Sequence, residues 1–294
     1  MPAPLLVADV PWLLYRSYFA LPKSITGADG QPVNALLGTV NAILALTGEA
    51  PPPSGVPRAV VACMGAEQAV YRVALYPPYH AHRPPMPPEL AWQWQRAPEL
   101  LASLGWSVPT SEDLEADDVM YSFAIAEAAR GGRTLLLTAD RDLYGAVDEN
   151  AAVLELGKGG VSAELGPAEV RARYGVEPHQ VPDFIALRGD PSDGLPGAPG
   201  IGAKTAAELL RDHGTLEDLL AAAHAPLPSL RPRIVGVLLD NEEPLRAFKH
   251  IATLQRTDVK TPADHVTDHA GGAAHARELG MRALAGRLEK LATA

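Results

Sequence analysis

A single cysteine, Cys63, leaves no partner for an internal disulfide in 294 residues and suits a reducing cytoplasm. Long apolar runs are also missing: none approaches the roughly 20 residues that a spanning helix needs. No basic leader precedes the first apolar run. The expectation is a soluble, cytoplasmic, monomeric protein with no membrane partner. Basic excess is the third lack. Lys and Arg number 25 against 35 Asp and Glu, a formal net charge of −10, which argues against simple electrostatic coating of nucleic acid. A nucleic-acid enzyme is not excluded, because acids that face bound cations would account for most of the excess. Hydrophobic content of 47% and charged content of 20% are ordinary for a globular chain, and the length allows one large domain or two modest ones.

What the chain does have is acid gathered in four tight places: Asp9; Glu115, Asp117 and Asp118; Asp140 and Asp142; and Asp190 and Asp193. Each group stands at the end of an apolar run or at an expected helix start. That much negative charge in one pocket would repel by several kcal/mol without cations. An all-oxygen pocket suits hard divalent ions, two of Mg²⁺ or Mn²⁺.

Short apolar runs at residues 5–8, 59–64, 133–138 and 151–156 predict buried strands, the last closed by a turn at 157–160. Helical patterns at 34–46, 89–104 and 117–129 lie between them, so the fold class is α/β with a mainly parallel sheet. Ligands of such sheets bind at the carboxyl ends of strands, where Asp9 and the Asp140/Asp142 pair fall. Residues 76–88 (YPPYHAHRPPMPP) are too proline-rich for a continuous helix. From about residue 167 the chain reads as all helical, with segments at 167–174, 178–187, 203–212 and 216–223, and a loop near 263–277 before a final amphipathic helix. No internal repeat is visible.

Each motif has a plainer explanation beside it. Glu115, Asp117 and Asp118 could simply cap a helix. Asp140 and Asp142, two residues apart, would point the same way on an extended backbone, or belong to an ordinary polar turn. Residues 196–205 (PGAPGIGAKT) fail as a P-loop, since Ala203 rather than glycine precedes Lys204 and no strand leads in. Gly-Ile-Gly between two helices fits a helix–hairpin–helix that holds a nucleic-acid phosphate on backbone amides and Lys204; a structural turn is the alternative. His80, His82 and Cys63 lack the sulfur complement of a zinc site. Trp92, Trp94 and Trp106 read as core or helix-packing residues rather than base-stacking platforms.

With these segments in order (LVAD with Arg16 seven residues on, YRVALYPPYHAHR, EADDV, LLLTADRDLY and GDPSDGLPGAPGIGAKTA), the chain resembles the 5′→3′ exonuclease and flap endonuclease family. That family includes the N-terminal nuclease of bacterial DNA polymerase I, and no polymerase portion follows here, so the expectation is a stand-alone nuclease. The resemblance implies a PIN-like nuclease domain over residues 1–165 with an arch at about 76–100. A helical DNA-binding region over 166–294 would follow, its helix–hairpin–helix at about 185–212. It assigns Asp9, Glu115 and Asp117 to a first metal, and Asp118, Asp140, Asp142, Asp190 and Asp193 to a second. Arg16, Tyr79, His80 and Arg83 would approach the scissile phosphate or the 5′ strand. Arg141, Gly200, Gly202, Lys204 and Thr205 would bind DNA, with K⁺ at the hairpin. The implied substrate is DNA with a 5′ end or flap, including RNA–DNA primer ends. It would be cut between two ions roughly 4 Å apart, one activating water and the other stabilising the leaving oxygen.

Two departures lower the expected activity. The family's strand at 59–64 usually ends in an aspartate for the first metal, and here Met64 or Gly65 holds that slot. His80 stands where the family has a lysine, giving a shorter, partly charged and pH-sensitive substitute. Gly194 in place of an asparagine is minor. On this reading Met64→Asp and His80→Lys would raise activity. The rival readings are a non-catalytic, structure-specific DNA-binding protein and a metal-dependent PIN-like ribonuclease.

Overall fold

A computed structural model describes residues 3–157, 162–227 and 229–293; beyond Gly157 the turn expected at 157–160 lies outside them. β1 (Leu5–Asp9) is buried along its whole length because parallel partners flank it on both edges and helices cover both faces. α1 (Val10–Ala20) follows without a loop. Asp9 caps it by accepting the Trp12 N–H at 3.0 Å, and Pro11 sits in the first turn. α2 (Asn34–Leu44) runs into a π-helical turn (Ala45–Glu49) before β2 (Ala59–Cys63). A short α3 (Val70–Leu75), then α4 (Pro88–Ser103) and α5 (Ala116–Ala128), lead to β3 (Thr134–Leu137) and β4 (Ala151–Leu156).

The sheet order is β2-β1-β3-β4-β5, parallel except for β5 (Ser162–Leu165), which pairs antiparallel with β4. β5 is polar and short, so hydrophobic patterning gave no sign of it. Residues 107–109 protect the β2 edge: Ala62 donates to Ser107 O (2.8 Å) and Met64 to Pro109 O (2.9 Å).

After the sheet come α6 (Pro167–Tyr174), α7 (Val181–Arg188), α8 (Ala203–His213), α9 (Leu216–Ala223), α10 (Pro232–Asp240), α11 (Glu242–Ala252), α12 (His269–Glu278) and α13 (Arg282–Ala292). The loop expected near 263–277 ends at Asp268, whose side chain caps α12 by accepting the Gly271 N–H. The sheet alternates its faces. Leu5, Val7, Val61, Leu136 and Val153 share one core with α5 and the helices from α6 to α11, while Leu6, Ala8, Val60, Leu135 and Leu154 pack with α1, α2, α4, α12 and α13. α4 belongs to that second core through Leu90, Ala97, Leu100 and Leu101, so most of the segment expected as an arch is packed helix; residues 76–87 are turns and irregular chain.

A buried ion pair fastens the strap between α11 and α12. Arg58 donates to Glu127 at 3.0 and 2.6 Å, and its other arm reaches Pro262 O and Asp264, each at 2.9 Å. Both pair members are nearly inaccessible, with 9% and 4% of their side chains exposed. Arg58→Ala is expected to lower unfolding free energy by about 3–5 kcal/mol, since it strands a buried carboxylate. Adding Glu127→Ala should recover part of that loss. Urea unfolding of the two variants checks it, and a loss under about 1 kcal/mol for the single variant would contradict it.

Candidate active site

The chain leaves β1 for β2 on one side and later places β3 on the other, which makes the carboxyl ends of β1 and β3 the switch point of the sheet. Asp9 ends β1 there. Thr138, just past β3, donates its hydroxyl to Asp9 at 2.8 Å, so each Asp9 oxygen holds one hydrogen bond. Asp140 and Asp142 follow. Their juxtaposition does not come from strand alternation: Arg141 is helical (φ −79°, ψ −24°) and a 3₁₀ turn (Asp142–Ala146) begins at Asp142. Asp140 instead accepts the Asp142 N–H at 3.0 Å, an Asx-type turn, and donates its own N–H to Thr138. Arg141 lies exposed on the surface.

The second acid group opens α5. Glu115 is the residue at the cap position but makes no capping bond, while Asp117 accepts the Asp118 N–H at 2.8 Å. Capping therefore explains one oxygen at most. The dominant partner is Arg72, from α3. Only 1% exposed, its guanidinium reaches Glu115 at 2.8 Å, Asp117 at 3.0 Å and Asp118 at 3.1 Å. Glu115 also accepts the Ala69 N–H and the Tyr79 hydroxyl. Asp118 is fully buried and accepts the Gln255 N–H at 2.7 Å, committing it to Arg72 and to the segment after α11. Arg72 was not among the sequence candidates. A lone arginine in a six-residue helix gives no signal of its own, although it lies inside the resembling stretch.

Asp190 and Asp193 sit in the turn after α7. Asp190 accepts the backbone N–H (2.8 Å) and the hydroxyl of Ser192, and stands 3.5 Å from Arg188. Asp193 meets His80 Nε2 at 3.0 Å and Arg83 Nη2 at 3.0 Å. His80 is the correction here. It is 2% exposed, its backbone N–H bonds Asp193 O and burial lowers its proton affinity, so its side chain props Asp193 and does not reach out of the fold. It is also the one non-glycine residue at positive φ (56°) among the described residues, held there by both bonds to Asp193. Tyr79 is likewise buried, stacked on His80 at 3.8 Å between ring centroids, and its hydroxyl is occupied by Glu115 and Arg72. Arg83 is the solvent-facing cation of this group, with 44% of its side chain exposed. Gly194 sits at φ 77°, which strains a side-chain-bearing residue, and a Cβ there would be tight against Pro78 O and His82.

Burial and mutual repulsion define the electrostatics. Desolvation raises Asp9 to about 6, with Asp117 adding to it. Glu115 rises to about 7, burial and Asp117 outweighing Arg72. Burial and Asp117 raise Asp118 to about 7. Asp142 is pushed well up by burial, Asp140 and Asp193. Asp140 is raised by desolvation within the cleft and by Asp193 and Asp117, although its open side lets water temper the shift. Negative charge is thus under-compensated, and the donors are all oxygen, which fits a hard divalent cation. As placed, no three His, Cys, Asp or Glu side chains among the described residues stand close enough to enclose one. Arg72, Thr138 and backbone N–H groups hold the carboxylates instead.

The slot after β2 is closed to a carboxylate for a physical reason. Met64 is 4% exposed and packs into the core on the α1 and α4 side of the sheet. At Gly65 a Cβ would fall 2.4 Å from Ala116 N and 2.6 Å from Glu115 C. The start of α5 occupies the space that a side chain would need.

The hairpin between α7 and α8 turns through Gly197 (φ 69°) and Gly200 (φ 78°), and Gly202 is the cap residue of α8. Lys204 is exposed and Thr205 half-buried in the first turn of α8. Arg233 of α10 reaches back to this hairpin: its guanidinium is 3.0 Å from the position of a Cβ on Gly200. Arg16 is exposed on α1, 5.8 Å from the Trp12 ring centroid.

Two family models match the chain: "5'-3' exonuclease, N-terminal resolvase-like domain" over residues 4–175 and "5'-3' exonuclease, C-terminal SAM fold" over residues 176–271. A 5′–3′ exonuclease of Mycobacterium tuberculosis is 33% identical over 318 residues, covering 99% of this chain and 98% of that protein. A thermostable DNA polymerase I of Thermus thermophilus is 36% identical over 285 residues, which is 97% of this chain and 32% of the polymerase. In fold, a bacteriophage T5 D15 flap endonuclease crystallised as a pseudo-enzyme-product complex with DNA and metal ions aligns at TM-score 0.68 and 18% identity, over 99% of this chain and 100% of that one. The catalytic core of Rad2 in complex with DNA substrate aligns at 0.64 and 13% identity, over 99% and 92%. By the extent of these matches, the chain belongs to the 5′–3′ exonuclease family.

Proposed function

We propose that this chain hydrolyses phosphodiester bonds of DNA at 5′ ends or 5′ flaps next to a duplex, with divalent cations held by the acids of the switch point. The observation that carries the reading is the meeting of under-compensated carboxylates at the carboxyl ends of β1 and β3, with one solvent-facing arginine, Arg83, at their edge. Asp9, Asp117, Asp140, Asp142 and Asp193 are the ligands it favours for Mg²⁺ or Mn²⁺. Glu115 is drawn toward Arg72, and Asp118 and Asp190 act in positioning, Asp118 through Gln255 and Asp190 through the turn that carries Asp193. Such cations, when bound, activate water and stabilise the leaving oxygen. The chain's own groups do the rest. Arg83 and Arg16 meet phosphate charge, and His80 and Tyr79 hold Asp193 and Glu115 in place. Gly200, Gly202 and Lys204, joined by Arg233, grip the duplex backbone without reading bases, with a monovalent cation as a fitting companion. RNA–DNA primer ends suit the same grip.

A second reading, structure-specific binding without cleavage, has one observation in its favour: Arg72 already bridges Glu115, Asp117 and Asp118 and supplies part of their countercharge. The pair of readings separates on one assay. Asp140→Ala with Asp142→Ala should keep the fold and junction binding while reducing Mg²⁺- or Mn²⁺-dependent release of a labelled 5′ flap by at least about a hundredfold. Equal cleavage by variant and parent would defeat the site assignment, and no cleavage by the parent in any metal would favour the binding reading.

Two substitutions probe the weakened half. Met64→Asp should lower stability by about 1–3 kcal/mol through burial of a polar group, with no gain in cleavage; a stable, faster enzyme would place residue 64 on the cleft after all. Arg72→Ala should cost about 3–5 kcal/mol in dilute buffer, because three carboxylates lose their counter-charge. Added Mn²⁺ should then raise its melting temperature by more than it raises that of the parent, a comparison read directly by thermal unfolding.

A further inference from the structure

We propose that a cleft beside the second half of α5, at the amino ends of the strands, binds a nucleoside 5′-monophosphate with its phosphate on Arg256. The cleft has a volume of about 520 Å³ and lies between α5, the turn that leads into β4, the start of α6 and residues 177–179. That volume falls within the range of small-molecule sites. No acid of the crevice lines it. At 1.5 Å of rise per residue, Ala124 and Ala128 on its floor stand roughly 10 and 16 Å along α5 from Asp117, and Ala151 on its far wall opens β4.

The lining suits one molecule with a flat apolar part and an anionic end. Small side chains, Ala124 and Ala128 from α5 and Ala146 from the 3₁₀ turn, leave the floor open and apolar. Most of the charge around it is already committed. Arg171 is paired with Glu177 at 2.9 Å, and Asp148 accepts the N–H groups of Asn150 and Ala151 at 2.7 and 2.8 Å. Arg256 is the exception: it is exposed, stands 5.8 Å from the Tyr121 ring centroid and makes no ion pair among the described residues. A guanidinium with its donors free, beside a half-buried tyrosine, suits a phosphate carried next to a planar ring. Glu149, which likewise makes no ion pair among the described residues, is an acceptor for a base amino group or a sugar hydroxyl. Hydrolysis at a 5′ end releases such nucleotides, so the choice of a nucleotide over other phosphorylated rings rests on the nuclease reading above.

The chain joins this cleft to the crevice. The Gln255 N–H bonds Asp118 at 2.7 Å and the Thr257 N–H bonds Ser122 Oγ at 3.0 Å. Arg256 therefore hangs between two anchors on α5, one of them a crevice acid. An occupant that engages Arg256 acts one residue away from a hydrogen bond that holds Asp118.

The test titrates the full chain by calorimetry with deoxyadenosine 5′-monophosphate, with deoxyadenosine and with inorganic phosphate, in EDTA so that the crevice holds no divalent cation. The parent should bind the nucleotide with a Kd below about 1 mM, and the nucleoside and phosphate each at least about tenfold more weakly. Arg256→Ala should bind the nucleotide as weakly as the parent binds the nucleoside, and Arg256→Lys should recover part of the difference. Ala128→Leu, at a half-buried position on the floor, should weaken nucleotide and nucleoside alike. Unchanged melting temperatures would show that these variants keep the fold. Bound nucleotide should also slow hydrogen exchange at the Gln255 and Thr257 amides of the parent, and not of Arg256→Ala. No binding by the parent, or binding that neither Arg256→Ala nor Ala128→Leu weakens, would overturn the assignment. The titration does not depend on cleavage, so a parent that binds the nucleotide in the cleft but releases no flap in any metal would fail the nuclease reading alone.

Discussion

Like charge held in a small space at the β1–β3 switch point is the constraint on which the rest of the molecule depends. The sheet topology brings Asp9, Asp140 and Asp142 together, and α5 adds Glu115, Asp117 and Asp118 from the side. Left alone, these groups would drive the crevice apart or take up protons. Arg72 is the largest fully buried side chain, and its place among three carboxylates makes a charge that would be intolerable by itself into the keystone of the pocket. The remainder of the neutralisation comes from hydrogen bonds donated by Thr138, Trp12, Ala69 and Gln255. The same acids that make the site therefore also dock the later segments of the chain onto the sheet. Gln255 and Thr257 are tied to Asp118 and Ser122, and the turn at 190–195 is tied to His80 and Arg83.

Compensation is unequal across the crevice. Around Glu115, Asp117 and Asp118 the countercharge is internal and permanent. Around Asp140, Asp142 and Asp193 it comes from the exposed Arg83, so the larger call for an external cation is on that side. The missing aspartate after β2 fits this asymmetry. An additional carboxylate beside a trio that shares one arginine would need its own room and its own partner, and the start of α5 leaves it no room. His80, at φ 56°, makes two bonds to Asp193, while Arg83 beside it faces solvent.

The strands and their order of use were legible because a doubly covered parallel sheet writes itself as short unbroken apolar runs, and 5–8, 59–64, 133–138 and 151–156 all end within a residue or two of the observed strands. The acids were legible because carboxylates at strand ends have few other uses. β5 was not, since a polar edge strand of four residues has no pattern to detect, and α1 was hidden because it is apolar on both sides. Arg72, His80 and Tyr79 show the deeper limit. Sequence gives residue type and spacing, and both histidine and tyrosine there suggested groups reaching for phosphate. Burial points the other way: the imidazole is 2% exposed, bonded inward to Asp193, and its charged form is disfavoured. Trp94 answers to the helix-packing reading, partly buried against the second core and edge-on to Tyr15.

The net charge of −10 then takes on a different meaning. A protein that bound its substrate mainly through phosphates would need a broad basic face, and binding would fall steeply with salt. Exposed cations stand near the crevice and the hairpin, Arg83 and Arg16 at the first and Lys204 and Arg233 at the second. Eight acids, Asp9, Glu115, Asp117, Asp118, Asp140, Asp142, Asp190 and Asp193, account for most of that excess, so the net charge describes the crevice more than the surface that would meet a phosphate backbone.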